Sequence, residues 1–191
     1  DPGADPIFSQ GQAILAEEYL DGAEVDVDLA MQGGRFPFES ITDNWPTDEP
    51  YFVPKGSSLP SRLPRRMQRE LIELAKQAAL ALGFSDGVLH IELKYTRRGP
   101  RLLEVNARMG GRWVRDWIKT VWGVDLVDQQ LLISAGLPIR PRKPGRPRTY
   151  LEGEFFIPPQ SVIFEGFEGE SELQSSPGFY RLVPFKRPGE K

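Results

Sequence analysis

Residues 87–111 read "GVLHIELKYTRRGPRLLEVNARMGG", and this stretch decides which fold the chain can adopt. Apolar and polar residues alternate on either side of RRGP, which predicts two strands joined by a tight turn. Because alternate side chains of a strand point the same way, Glu104 and Asn106 are expected on one face, together with Leu102. Antiparallel pairing would bring Glu92 of the first strand within about 5–8 Å of them.

Two carboxylates and a carboxamide at one place have a chemical meaning. Carboxylate and amide oxygens are the ligands that Mg²⁺ prefers, and without a cation two nearby carboxylates would repel each other. The alternative is a solvent-exposed face of alternating charges. His90, the only histidine, is either a phosphate or substrate contact or a hydrogen-bonded sheet residue. Lys94 lies either at the rim of the site or in solvent, and Arg108 is expected at the rim.

The composition is that of an ordinary globular protein and excludes several classes. The 191 residues are 39% hydrophobic and 27% charged, with a formal net charge of −3. This near balance gives no reason to expect a nucleic-acid partner. Cysteine is absent, which excludes disulfides, thiolate nucleophiles and cysteine-ligated zinc. The sequence shows no run of about 18 apolar residues and no signal peptide, so we expect no membrane association and a cytoplasmic location.

Further elements are predicted from periodicity and turn signals. Residues 65–82 carry an apolar stripe at helical spacing, with Pro64 before it and Gly83 after it. Residues 24–30 alternate as a strand, and Pro37 favours an edge position for the strand that contains it. The remaining expectations are strands at 13–20 and 34–41, a hairpin at Asp21–Gly22, a partly packed loop at 43–64, a helix at 112–122 and a helix from Asp125 to Gly136.

The chain is expected to divide into a leading loop at 1–12, a main part at 13–140 and a small β-rich subdomain at 141–191. The basic, proline-rich stretch at 138–148 reads as a solvated connector or, alternatively, as a ligand for nucleic acid or an SH3-type domain. Three short strands are expected after it, in "TYLEGEFFIP", "QSVIFEGF" and "GFYRLVPF".

Three phrases along the chain carry a family resemblance. They are "LAEEYLDGAEVDVDL" (15–29), "HIEL" (90–93) and "EVNARMGG" (104–111). Together they resemble the C-terminal half of the ATP-grasp carboxylate–amine ligases, and the tail is similar to the small β unit of the L-amino-acid ligase branch. The resemblance implies an α+β fold: the C-terminal portion of an ATP-grasp domain, with an antiparallel sheet and packed helices, followed by a small β-rich unit.

The resemblance also implies roles for individual residues. Residues 17–20 would be the hinge that holds adenine through its backbone, with Tyr19 in the core. Glu24 would accept hydrogen bonds from the ribose hydroxyls, unless it is an ordinary surface acid. Arg108 would be catalytic, steadying the transferred phosphoryl group or the tetrahedral intermediate. The implied sets are Glu17, Glu18, Tyr19, Leu20, Glu24 and Leu103 for ATP, Glu92, Glu104 and Asn106 for Mg²⁺ or Mn²⁺, and Gly110, Gly111 and Arg108 for the substrate.

The implied activity joins a carboxylate to an amine through an acyl phosphate and releases ADP and phosphate. The partners would be small amino acids, and a narrower resemblance to dipeptide-forming members implies β-alanine and L-histidine. The resemblance further implies an earlier half of the enzyme, without which we expect this chain to fold but not to ligate. The alternative is a non-catalytic module kept for assembly or regulation. The oligomeric state stays open, with a homo-oligomer among the alternatives.

Some residues near the site are expected to have ordinary structural roles. Asp26 and Asp28 are expected to be solvated. Trp113, Trp117 and Trp122 are expected to serve packing, with a substrate cage as the alternative, and Trp113 is of interest because it follows the glycines closely.

Overall fold

The computed structural model describes residues 15–47, 51–158 and 160–190. The strands are β1 (Ala23–Gln32), β2 (Arg35–Asn44), β3 (Gly56–Leu59), β4 (Gly87–Thr96), β5 (Gly99–Asn106) and β6 (Leu151–Glu154). The helices are α1 (Arg65–Ala81), α2 (Val114–Trp122), α3 (Leu126–Ser134) and α4 (Glu170–Ser175). The strands form one antiparallel sheet in the order β5-β4-β1-β2-β3-β6.

The sheet separates two apolar cores. β1 lies between β2 and β4, and its odd-numbered side chains from Val25 to Met31 are fully buried against the α1 side. Its even-numbered face turns the other way, and there Ala30 belongs to a second core that includes Trp117, Ile118 and Val121 of α2. Because the middle of β1 is covered on both faces, the polar side chains of Asp26 and Asp28 on its even-numbered face are also buried.

Helix α1 follows the predicted apolar stripe, except that it ends one residue earlier than expected. It begins after Pro64 and ends at Ala81, and Gly83 beyond it adopts a φ of +84°. Leu71, Ala75 and Ala79 are buried. Leu82, expected on the same stripe, is exposed because the helix has ended before it.

Helices α2 and α3 are joined by a short connection that Asp125 organises. Gly123 ends α2 in the left-handed conformation, and the Asp125 carboxylate caps α3 by accepting from the Val127 N–H at 3.0 Å. The same carboxylate accepts from Arg115 at 2.7 and 2.9 Å and from Lys119 at 2.9 Å. A single acidic side chain therefore caps one helix and fastens it to the other.

The strand with Pro37 is internal, so the expected edge position is wrong. β2 lies between β1 and β3, yet β3 pairs with it only at Asp43 and Asn44. Pro37 sits outside that ladder, beside an irregularity in the pairing with β1 between Ala30 and Gln32. A residue without an N–H is tolerated there because no ladder bond is required of it.

Two expectations on the segment before β1 also fail, the strand at 13–20 and the hairpin at Asp21–Gly22. The expected strand at 13–20 has no regular structure over 15–20, where Leu15 and Tyr19 are largely exposed, and residues 13 and 14 lie outside the described ones. Asp21–Gly22 therefore makes no hairpin.

The segment 43–64, expected to be a partly packed loop, contains β3. Within it Trp45 donates to Ser58, but Tyr51 and Phe52 are exposed. The leading loop at 1–12 also lies outside the described residues.

The C-terminal region differs from the expected β-rich unit. By its contacts the chain forms one unit that ends at Phe155 and another at 156–190. β6 joins the main sheet through β3, and residues 160–167 and 178–185 form no strands. The 138–148 connector is only partly solvated, because Ile139 is buried and the Arg148 N–H donates to Val121. Among the helices that the structure describes, none combines the length and apolar character needed to cross a bilayer.

Candidate active site

The hairpin of β4 and β5 brings the predicted acids face to face. In its register Glu92 lies opposite Glu104, and His90 lies opposite Asn106. The register then shifts, so that Leu102 pairs with Leu93 and Leu103 is left over as a bulge. Leu102 therefore does not continue the polar row, since a one-residue slip changes the face on which a side chain lies.

The even-numbered face of β1 extends this polar row toward the middle of the sheet. Asp26 lies beside Glu92 and Asp28 beside His90. Both aspartates are buried, with exposed fractions of 7% and 0%, so the expectation that they are solvated is wrong. The alternating pattern is the same for a solvated face and for a covered polar face, and here other elements cover it.

Each buried acid has a defined partner. Asp26 accepts from the Asn44 side-chain amide at 2.8 Å, and Ser57 in turn donates to Asn44 Oδ1 at 3.1 Å. Asp28 Oδ1 accepts from His90 Nδ1 at 3.0 Å and from the Gly110 N–H at 3.2 Å. The other ring nitrogen of His90 lies 3.9 Å from oxygens of Asp26 and Glu92. His90 is thus a hydrogen-bonded sheet residue, and it also lines the cleft described below.

The crowding of acids around one imidazole shifts several pKa values. Burial raises the pKa of Asp26 to about 7, although the His90 charge opposes it. Burial lowers the pKa of His90, but the hydrogen bond to Asp28 and the charges of the three surrounding acids outweigh this and raise it to about 9. Burial also raises the pKa of Glu92; the His90 charge opposes the rise, and the Glu104 and Glu24 charges add to it.

An open cleft of about 860 Å³ runs beside this polar row. Among the residues expected in the site, five line it: Glu24, Glu92, Arg108, Gly110 and Gly111. Glu104 and Asn106 do not line the cleft but lie at its edge, each directly opposite a residue that does: Glu104 faces Glu92, and Asn106 faces His90. Glu17, Glu18, Tyr19, Leu20 and Leu103 are not among the lining residues.

The segment expected to hold adenine is fastened by charge. Lys94 lies 3.3 Å from the Glu24 carboxylate and donates to the Leu20 carbonyl at 3.2 Å. Its ammonium also lies 5.9 Å from the centre of the Tyr19 ring. Glu18 pairs with Arg98. Tyr19 is largely exposed, so its expected place in the core is wrong.

The residues after β5 form a loop, 107–113, that returns over the sheet. Arg108 donates to the Asn106 side-chain oxygen at 3.3 Å and to the Met109 carbonyl at 3.0 Å. The two glycines differ: a Cβ on Gly110 would lie 2.6 Å from Val114 Cγ1, whereas a Cβ on Gly111 would meet nothing within 4 Å. The Gly110 N–H, expected to bind substrate, is already bound to Asp28.

One side of the cleft consists of residues that sequence reasoning missed. Asn44, Trp45 and Ser57 come from β2, the segment after it and β3, and Phe155 follows β6. Phe155 packs on Trp113 with ring centroids 4.6 Å apart. No local motif marks these residues, because only the sheet order brings β3 and β6 next to the loop. Trp117 and Trp122 are buried in the second core, as expected for packing.

The donor set fits a divalent cation without a preformed cage. Within the part of the chain that the structure describes, no three His, Cys, Asp or Glu side chains form a group that could hold a metal ion. The expected set needs only the two opposed acids and the Asn106 amide. The charge of Glu104 helps to hold the pKa of Glu92 high, and a cation between the two carboxylates would relieve that repulsion.

This fold is that of an ATP-grasp protein. The family model described as an ATP-grasp domain matches residues 5–116, and the chain belongs to that family.

Among individual proteins, carnosine synthase 1 of Homo sapiens is 41% identical over 139 residues, which are 73% of this chain and 17% of that protein. Carnosine synthase 1 of Gallus gallus is 43% identical over 144 residues, which are 75% of this chain and 15% of that protein. The chain therefore spans less than a fifth of the length of these curated relatives.

The fold has solved counterparts. The crystal structure of L-amino acid ligase from Bacillus licheniformis superposes with a TM-score of 0.78, at 24% identity, over 90% of this chain and 44% of that one. The likeness confirms the predicted ATP-grasp architecture.

Proposed function

We propose that these residues form part of an ADP-forming ligase site that joins a carboxylate to an amine through an acyl phosphate. The observation that carries the proposal is the direct opposition of Glu92 and Glu104 beside the loop that bears Arg108, at the edge of the cleft. Phosphoryl transfer depends on positioning and on neutralising spread-out negative charge. The Arg108 guanidinium is suited to that task, and the two acids are suited to holding a divalent cation that would supply more positive charge.

Glu92, Glu104 and Asn106 would hold Mg²⁺ or Mn²⁺. The bound ion would neutralise charge on the phosphates during transfer. Arg108 would add a positive charge that does not depend on pH, since guanidinium groups stay protonated in proteins. Its two hydrogen bonds, to Asn106 and to the Met109 carbonyl, hold it beside the metal ligands.

ATP would lie along the side of the cleft near Glu24. The Glu24 carboxylate is an acceptor-only group, suited to two ribose hydroxyls, and its ion pair with Lys94 fixes its position. Backbone groups of residues 17–20 would contact the adenine edge, and Leu103 would contact its face. The Leu20 carbonyl already accepts from Lys94, so the hinge would use its other backbone groups.

The proposed substrates are two small amino acids, β-alanine and L-histidine. The identity of 41–43% to the two carnosine synthases supports this pair. An aromatic surface of Trp113 and Phe155 lines the cleft and is suited to a flat side chain.

Phosphate release and dipeptide formation from ATP, Mg²⁺, β-alanine and L-histidine test the proposal. We expect Glu104→Gln to lower turnover by about 10²-fold or more in the active enzyme, because the change removes a charge that holds the metal. Glu73→Gln, an exposed change on the α1 side of the sheet, is the matched control. Unchanged turnover of Glu104→Gln at saturating Mg²⁺ would remove Glu104 from the ligand set.

The same assay separates a ligase from a non-catalytic module. We propose that the 191-residue chain alone binds Mg·ATP weakly and forms no dipeptide, and that activity requires further parts of an ATP-grasp enzyme, added in trans or in one longer chain. Dipeptide formation by the chain alone would contradict the second part of this proposal. Absence of nucleotide binding and of turnover in every form would favour the non-catalytic module.

A further inference from the structure

Asp28 is a buried acid whose contacts the proposed reaction does not use. It lies on the central strand β1 and is fully buried. Its Oδ1 accepts from two directions, from His90 Nδ1 at 3.0 Å and from the Gly110 N–H at 3.2 Å. A carboxylate with no access to the cleft cannot contact substrate, so any role in the reaction must pass through these two partners.

The Gly110 contact needs the loop to approach the sheet closely. A Cβ on Gly110 would lie 2.9 Å from His90 Nδ1 and 2.6 Å from Val114 Cγ1. The backbone thus crosses directly over His90, where no larger residue fits. Because His90 is itself bound to Asp28, the same carboxylate fixes both the surface over which the loop crosses and the amide that lies on it.

The Gly110 N–H shares one peptide group with the Met109 carbonyl. A trans peptide unit is planar, and its N–H and C=O point in opposite directions. When Asp28 holds the N–H, it therefore also sets the direction of the carbonyl oxygen. That oxygen accepts from the Arg108 guanidinium at 3.0 Å.

We infer that Asp28 is a positioning residue that sets where the Arg108 guanidinium lies, through the peptide group between Met109 and Gly110. The inference rests on the function proposed above for Arg108. Among the described residues, the guanidinium has one other hydrogen bond, to Asn106 at 3.3 Å. With Asp28 removed, the peptide group is free to rotate and Arg108 keeps only that tether.

A structural test uses the 191-residue chain and needs no activity. In Asp28→Ala we expect the Gly110 amide to exchange with solvent about tenfold faster or more and the side-chain resonance of Arg108 to move. Arg108→Lys identifies that resonance by its loss. Asp26→Asn is the matched control, because Asp26 is a buried acid on the same face that bonds to Asn44 and not to the loop.

A second variant keeps the test decisive if Asp28→Ala does not fold. Asp28→Asn retains an oxygen acceptor but replaces a charge-assisted hydrogen bond with a weaker neutral one. We then expect the Gly110 amide proton to shift upfield, together with a change at Arg108. An unchanged Gly110 amide in the folded variant, or a changed amide with an unchanged Arg108, would overturn the inference.

Kinetics in the active enzyme distinguish positioning from plain stabilisation. We expect Asp28→Ala to lower kcat by about tenfold or more, with KM for ATP nearly unchanged, because a misplaced group costs rate and not ground-state binding. The effects of Asp28→Ala and Arg108→Ala on kcat should not add, since both act through one guanidinium. Additive effects would overturn the inference. No turnover in any wild-type form, the longer chain included, would refute the proposed function, and the resonances of Gly110 and Arg108 would still decide this inference.

Discussion

Replacing Gly110 by alanine should destabilise the fold, whereas the same change at the neighbouring Gly111 should not. A Cβ at position 110 would lie 2.6 Å from Val114 Cγ1 and 2.9 Å from both Val114 Cβ and His90 Nδ1. Rotation of the valine cannot relieve the overlap, because its Cβ is itself too close. The backbone cannot move away freely, since the Gly110 N–H is bound to Asp28.

The size of the effect follows from these contacts. Forcing an extra carbon into a packed site costs about 1–3 kcal/mol, and loss of the hydrogen bond to Asp28 would add about 1 kcal/mol. At Gly111 a Cβ meets nothing within 4 Å. There we expect a change within about 0.5 kcal/mol, or a small gain because alanine restricts the unfolded chain.

Urea unfolding monitored by tryptophan fluorescence measures both changes. All four tryptophans precede Phe156, so the signal reports the unit that contains the glycines. In a thermal melt followed by the same fluorescence, a loss of 1 kcal/mol should lower Tm by about 2–4 °C in a chain of this size. The double variant of Gly110→Ala with Val114→Ala should lose less than the sum of the single changes. Equal stability of the two alanine variants would refute the reasoning.

Two further predictions concern charged residues. Asp125→Ala should lower the free energy of unfolding by about 2–4 kcal/mol at pH 7, because it removes a cap and the bonds to two basic side chains; Asp128→Ala, an exposed change in the same helix, should cost far less. Its hydrogen-bond partners hold the pKa of Asp125 well below its ordinary value of 3.8. The stabilisation by Asp125 should therefore be present in full above pH 3.8 and decline when urea unfolding is repeated at lower pH. Asp125→Ala should lack this part of the pH dependence. The pKa of His90 is raised to about 9 from 6.5. The stabilisation of the fold by protonated His90 should therefore be complete below pH 6.5 and lost as the pH rises through 9. An NMR titration of this single histidine checks it, with Asp28→Asn expected to lower the pKa and a wild-type value near 6.5 contradicting the prediction.

Elements whose signals are local were predictable from the sequence. The hairpin partners Glu92 and Glu104, helix α1 and the Asp125 cap follow from alternation, from 3.6-residue spacing and from capping chemistry, each of which involves neighbours in the chain. The strands predicted at 160–167 and 178–185 do not form, and apolar residues such as Phe185 remain exposed there. A short apolar run becomes a strand only when another strand is available to pair with it.

Three features of the candidate site depended on the tertiary structure alone. Alternation put Asp26 and Asp28 on one face, but only the elements that cover β1 made that face buried. The bulge at Leu103 ended the polar row at Glu104, and no residue type in "RLLEV" marks it. Phe155 reached the cleft because β6 pairs with β3, a contact between residues about a hundred positions apart.

By itself the sequence determined which side chains share a face within an unbroken stretch of strand and where a strand leads into two glycines, because those properties depend on the period of the backbone. The tertiary structure decided what covers each face. It left Gly111 open and pressed Gly110 against His90 and Val114, although both are glycines in "ARMGGR". The difference arises because the space around a backbone atom is set by the elements packed against it, and those elements come from distant parts of the chain.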